Sequence, residues 1–166
     1  MHFDLKRIAV ESVAEALAKA ERYRLLNEPS LAESICLDIL AVSPDNQETV
    51  TLLLLARTDQ FASGLAPERA RELLPRIQGD YERAYYAGLI AERSAHAQLR
   101  RGGPGGSARA YHAFREAMAS YEKAERLRPA GNDDAILRWN TCARIIMRQA
   151  DVRPLALEEV QPILSE

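Results

Sequence analysis

Apolar residues recur at intervals of three and four along almost the whole chain, the spacing that lines one face of an α-helix rather than one face of a strand. The first stripe, Leu5, Ile8, Val13, Ala16, Leu17 and Ala20, predicts a helix that runs from Asp4, its cap, to about Leu26. Asn27, Glu28, Pro29 and Ser30 form a turn into a second helix, whose stripe is Leu31, Ala32, Ile35, Cys36, Ile39 and Leu40 and whose end is Ser43-Pro44-Asp45. A third helix spans roughly 46–62, with Val50, Leu53, Leu54 and Phe61 facing inward and Gly64 closing it. The next begins near Pro67 and carries Ala70, Leu73, Leu74 and Ile77. Pro75 is set to kink or end it, because proline removes a backbone donor and crowds the preceding turn. Two longer helices follow, at about 80–99 and 107–127, separated by the flexible link Arg100-Arg101-Gly102-Gly103-Pro104-Gly105-Gly106. Pro129 and Gly131 then stop that helix, and Asn132 or Asp133 caps the next, which continues to about Gln149. Pro154 opens a short final helix over about 154–161, suited to covering the end of a stack.

Displacing the chain against itself by 85 residues sets Ala32 on Ala117, Cys36 on Tyr121, Ile39 on Ala124, Pro44 on Pro129, Leu54 on Trp139 and Phe61 on Ile146 without a gap. The second-helix pattern also returns at Ala70, Leu74 and Ile77, so its small residue recurs after 38 residues and again after 47. Spacing of this order marks stacked helical hairpins. The chain resembles the tetratricopeptide repeat family, whose unit is a two-helix hairpin of about 34 residues. That resemblance is carried by Ala16, Ala20, Tyr23, Ala32, Ile39 and Pro44; by Leu54, Phe61, Ala70, Leu74 and Ile77; by Ala117, Tyr121, Ala124 and Pro129; and by Trp139 and Ala143. Lys19 and Arg57 depart from it, standing where the family prefers apolar side chains, and Glu82 stands where a third proline would fall.

The resemblance implies an all-α fold, a right-handed stack of antiparallel hairpins with seven or eight helices in one domain over 1–166. Its repeats would fall at about 5–44, 45–79, 80–129 and 130–149. Small side chains at Ala20, Ala32, Ala70, Ala117, Ala124 and Ala143 would let helix axes approach, and Tyr23, Phe61, Tyr121 and Trp139 would fill the gaps between layers.

Composition narrows the function. With 22 Lys and Arg against 24 Asp and Glu, the net charge of -2 offers no general attraction to nucleic acid. The longest apolar run, Leu52 to Ala56, is far short of a bilayer span, and no secretory pattern opens the chain, so the expectation is a cytoplasmic protein without membrane insertion. Cys36 and Cys142 sit singly at helical core positions and read as buried thiols.

The resemblance also implies where a ligand would sit, since the first helix of each hairpin lines a concave groove that holds an extended peptide or a partner's helix. The groove residues are then Leu17, Glu21 and Arg24; Leu55 and Asp59; Glu92 and His96; and Asn140, Arg144 and Arg148. The last three lie four apart on one helix face, where guanidinium forks suit a partner's carboxylates; the same stripe also serves as a solvated face or pairs with local acids. The reading is a non-enzymatic adaptor for a protein or peptide, with no cofactor, no metal and no catalytic residue. One alternative is a metal-binding helical enzyme built on the hairpin 92–116, with Glu92, His96, His112 and Glu116 as ligands. Another is a self-associating structural subunit that forms a homo-oligomer through exposed helix faces. The glycine link lacks the lysine and spacing of a nucleotide loop.

Overall fold

The computed structural model describes residues 3–154, and among these the chain is all-helical, with seven α-helices and no strand. They are α1 (Val13–Leu25), α2 (Pro29–Val42), α3 (Gln47–Asp59), α4 (Glu68–Arg71), α5 (Asp80–Arg101), α6 (Gly106–Leu127) and α7 (Asp134–Arg148). Short 3-10 turns lie at Val10–Ser12, Phe61–Ser63 and Leu74–Arg76. The final helix expected at 154–161 lies outside the described residues.

Local chemistry accounts for most of the boundaries. Pro29 takes the first turn of α2, where its missing N–H has no partner to lose. Asn46 caps α3, its Oδ1 accepting from the Thr49 amide at 2.9 Å. Gly64, at a φ of 109°, closes the turn after α3. Asn132 caps α7 from one position further out than the geometric cap, Asp133: its Oδ1 accepts from the Asp134 amide at 3.0 Å.

One boundary departs from expectation and another follows it. Residues 3–9 are not helical, Leu5 is 85% exposed, and α1 starts only at Val13. The N-terminal stripe has no neighbour to bury most of it, and a helix without a packed face does not repay its nucleation. The helix expected from Pro67 ends as α-helix at Arg71, four residues before Pro75, which sits in the first turn of a 3-10 segment.

Consecutive helices pack on one another: α1 on α2, α2 on α3, α5 on α6 and α6 on α7. The α5–α6 pair, joined by only Gly102–Gly105, is the most extensive. Two cores result. One gathers Cys36, Ile39, Val50, Leu53, Leu54 and Phe61 of the first half with Ile90 and Ala97. The other gathers Phe114, Ala117, Met118, Tyr121 and Ala124 of α6 with Ala84, Ala91 and Ala95 and with Ala135 and Cys142 of α7. Helix α5 belongs to both, so it is the shared wall.

The residues expected to be core divide accordingly. Ala20, Ala32, Phe61, Ala70, Ala117, Tyr121 and Ala124 are buried. Tyr23, Trp139 and Ala143 are only half-buried. Trp139 packs against the second core but turns its indole N–H outward to donate to Glu122 Oε1 at 2.9 Å, a bond that a fully buried ring would forfeit. Arg57, a cation where the repeat pattern prefers an apolar group, is buried but satisfied. Its Nε donates to Glu33 Oε1 at 2.9 Å and its Nη1 to the Arg69 carbonyl at 2.6 Å.

Within the shared wall an added Cβ at Gly88 would meet the Tyr121 ring at 2.6 Å. Gly88→Ala gains about 1 kcal/mol of helix propensity, yet the ring is wholly buried and cannot yield. An overpacking cost of about 1–3 kcal/mol set against that gain leaves an expected net loss of up to about 2 kcal/mol, read as a lower denaturant midpoint at unchanged slope.

Candidate functional site

The site forms where the C-terminal ends of α1 and α3 meet the middle of α5. Arg24 is in the last turn of α1, Thr58 and Asp59 end α3, and Arg93, His96 and Arg100 stand at i, i+3 and i+7 on one face of α5. With Leu25 and Asn27 they line a cleft of about 620 Å³. Asn27 holds the intervening turn in the left-handed region, at a φ of 61°, which asparagine tolerates better than most residues.

Asp59 ties the three helices together. Arg24 Nε donates to Asp59 Oδ2 at 2.6 Å, and Arg93 Nη1 donates to Asp59 Oδ1. Arg93 Nη1 also donates to Thr58 Oγ1 at 2.9 Å, while that hydroxyl donates to the Leu55 carbonyl at 2.7 Å. The side chains of Arg24, Asp59 and Arg93 are each about a quarter exposed, so their charges are partly shielded from water without being fully desolvated.

Beneath the cleft lies a second polar cluster. Glu92 is 3% exposed and accepts from Tyr121 Oη at 2.6 Å and from Arg138 Nη1 at 3.2 Å. Burial pushes the Tyr121 phenol far above its usual range, and the Glu92 charge and hydrogen bond act in the same direction. Burial pulls the Arg138 guanidinium down, but the Glu92 charge and contacts with Tyr85 outweigh it, and its affinity for the proton rises. His96 bridges the two clusters, its Nε2 4.0 Å from Glu92 Oε1 and its ring edge-on to Phe114 at 5.2 Å. Burial lowers its pKa below the ordinary histidine value. Glu92 opposes that shift, while Arg100, Arg138 and Arg93 reinforce it.

The residues singled out from the sequence are distributed unevenly. Arg24, Asp59 and His96 come together in the cleft. Glu21 is exposed and shares a neighbouring groove of about 340 Å³ with Gln47, Glu48, Thr51 and Leu55. Glu92, expected as a groove contact, is instead sequestered by Tyr121 and Arg138, and Leu17 is core. Asn140 is half-buried, and Arg144 and Arg148 are exposed, away from the cleft. On α7 the inward face is set by Ala135 and Cys142, so Arg138, four residues before Cys142, takes the place beside α5. Arg93, Arg100 and Arg138 carried a usable signal, their spacing from His96 and Cys142, which a family-based assignment of groove positions passes over.

The four residues of the metal alternative do not converge. His96 lines the first cleft, whereas His112 and Glu116 line a separate groove with Arg71 and Gln98, and Glu116 pairs with Arg71 at 3.2 Å. Among the described residues no group of three His, Cys, Asp or Glu side chains is placed to hold a metal ion. Both cysteine thiols are free and buried; burial is the main cause that pushes each up to about 12, which keeps them protonated and unreactive. No described helix is long and apolar enough to cross a membrane.

The buried cluster can be probed by two measurements. Tyr121→Phe should cost about 1.5–3 kcal/mol, the range for a hydrogen bond to a charged group, and Glu92→Ala more, because it strands both donors. Chemical denaturation gives both values. The depressed His96 pKa means that the unfolded chain binds the proton more readily, so its contribution to stability is present above about pH 6.5 and lost as pH falls. Stability measured from pH 7 down to about pH 5 should therefore fall less steeply in His96→Asn than in the parent. Comparison with family models, with curated proteins and with solved structures finds no match for this chain.

Proposed function

We propose that the chain is a non-enzymatic adaptor, a tetratricopeptide-like right-handed stack that holds a peptide or a partner's helix along α1, α3, α5 and α7. The observation that carries this reading is the polar path crossing those alternate helices. It runs from Arg24 of α1 through Asp59 of α3 to Arg93 of α5, with His96 and Arg100 on the same face of that helix, while the buried Glu92 ties α5 to Arg138 of α7. The intervening helices, α2, α4 and α6, add no residue to the lining of the cleft. Alternation of this kind gives one side of the molecule the ligand-facing chemistry and leaves the other to packing. Arg24, Asp59 and Arg93 are held in ion pairs and hydrogen bonds, an arrangement that orients a bound segment better than it drives a reaction. The excess of arginine favours an acidic ligand.

Selection from a random-peptide display library tests the proposal. Enrichment of Asp- and Glu-rich peptides is expected, with binding lost in the double variant Arg93→Glu, Arg100→Glu and kept in Arg126→Glu on the outer side of α6. Failure to enrich any peptide, or enrichment indifferent to charge reversal in the cleft, would overturn it.

A further inference from the structure

We propose that the cleft between α1, α3 and α5 is a site for a phosphate monoester, carried by a phosphorylated side chain of the bound segment; this rests on the adaptor reading. The case begins with charge. Arg24, Arg93 and Arg100 bring three positive charges to the cleft wall, and Asp59 is the one acid lining it. His96 adds no charge at neutral pH, because burial and the surrounding arginines hold it unprotonated. Glu92 lies below, where Arg138 already matches it. Two positive charges are thus left over. A carboxylate would neutralise one of them, whereas a phosphate monoester, with a charge of about -1.5 to -2 near pH 7, comes close to neutralising both.

Geometry points the same way. Arg24 gives its Nε to Asp59 and Arg93 gives its Nη1, so each guanidinium keeps donors uncommitted to Asp59 while the carboxylate fixes its position. A guanidinium already held in place loses little freedom on meeting an anion. Arg100 is exposed at the edge, one helical turn beyond His96, and can close over a group seated between the other two. Thr58 is engaged at both ends of its hydroxyl and stiffens Arg93 further. A cleft of about 620 Å³ accommodates a tetrahedral anion together with the residue that carries it. Leu25, 83% exposed on the lip, offers an apolar contact to the adjoining residue of the ligand. In the free protein Asp59 acts as a tethered stand-in for the ligand's charge.

The experiment follows the arginine Nε–Hε and His96 signals by ¹⁵N nuclear magnetic resonance on the full chain. Inorganic phosphate, phosphoserine and acetate are titrated, then one library-selected peptide in its serine, glutamate and phosphoserine forms. Phosphate and phosphoserine should shift Arg24, Arg93 and Arg100 saturably, with acetate weaker by about tenfold. Arg100→Glu, on an exposed position that leaves the fold intact, should weaken phosphate about tenfold or more, in line with a lost charge-assisted bond. Acetate binding as well as phosphate, or unchanged affinity in Arg100→Glu, overturns the proposal. If the three peptide forms bind alike, the phosphate site fails and the adaptor reading stands. If phosphoserine alone binds as tightly as the phosphopeptide, the phosphate site stands and the adaptor reading fails.

Discussion

A carboxylate with almost no access to water must be matched by donors from the protein itself, and Glu92 draws them from two other helices, Tyr121 on α6 and Arg138 on α7. Neither donor can be withdrawn cheaply: Arg138 would leave a buried negative charge unmatched, and the phenol has no water to turn to. The carboxylate therefore fixes how α6 and α7 sit against α5.

That arrangement requires α5 to be narrow. Ala84, Gly88, Ala91 and Ala95 succeed one another at helical spacing on the side toward α6, and Gly88 admits the Tyr121 ring to a distance no larger residue would permit. The opposite side presents Ile90 and Ala97 to the first core. Between these two packed sides runs a strip carrying Arg93, His96 and Arg100, which is why three polar side chains of one helix emerge together beside the ends of α1 and α3. Cleft-lining and packed side chains are thus partitioned by angle around a single cylinder.

The sequence made the helical class and most of the boundaries readable, because these depend on local chemistry. Pro29, Asn46 and Gly64 act where they stand. The displaced self-match also identified a common burial pattern: Ala32 and Ala117, Cys36 and Tyr121, and Ile39 and Ala124 are all buried. Its second half held less well. Leu54 and Phe61 are buried while their counterparts Trp139 and Ile146 are half-exposed, since α3 is packed by α1, α2, α4 and α5 and α7 chiefly by α6. The site was only partly readable for a related reason. Arg24, Asp59 and His96 stood on predicted ligand-facing stripes, but whether a charge on such a stripe faces outward or sinks, as Glu92 does, depends on the neighbour it meets. The Tyr121 and Arg138 that capture Glu92 lie 29 and 46 residues away along the chain.

A pile of hairpins is ordinarily modular, each unit resting only on the next, so that lineages lengthen or shorten it by copying or dropping a unit. The double membership of α5 withdraws that freedom here. Its residues complete the interior of the N-terminal half and that of the C-terminal half alike, so no cut within 80–101 leaves two self-sufficient pieces. The arginine-lined hollow, resting on that same helix, therefore depends on the integrity of both interiors.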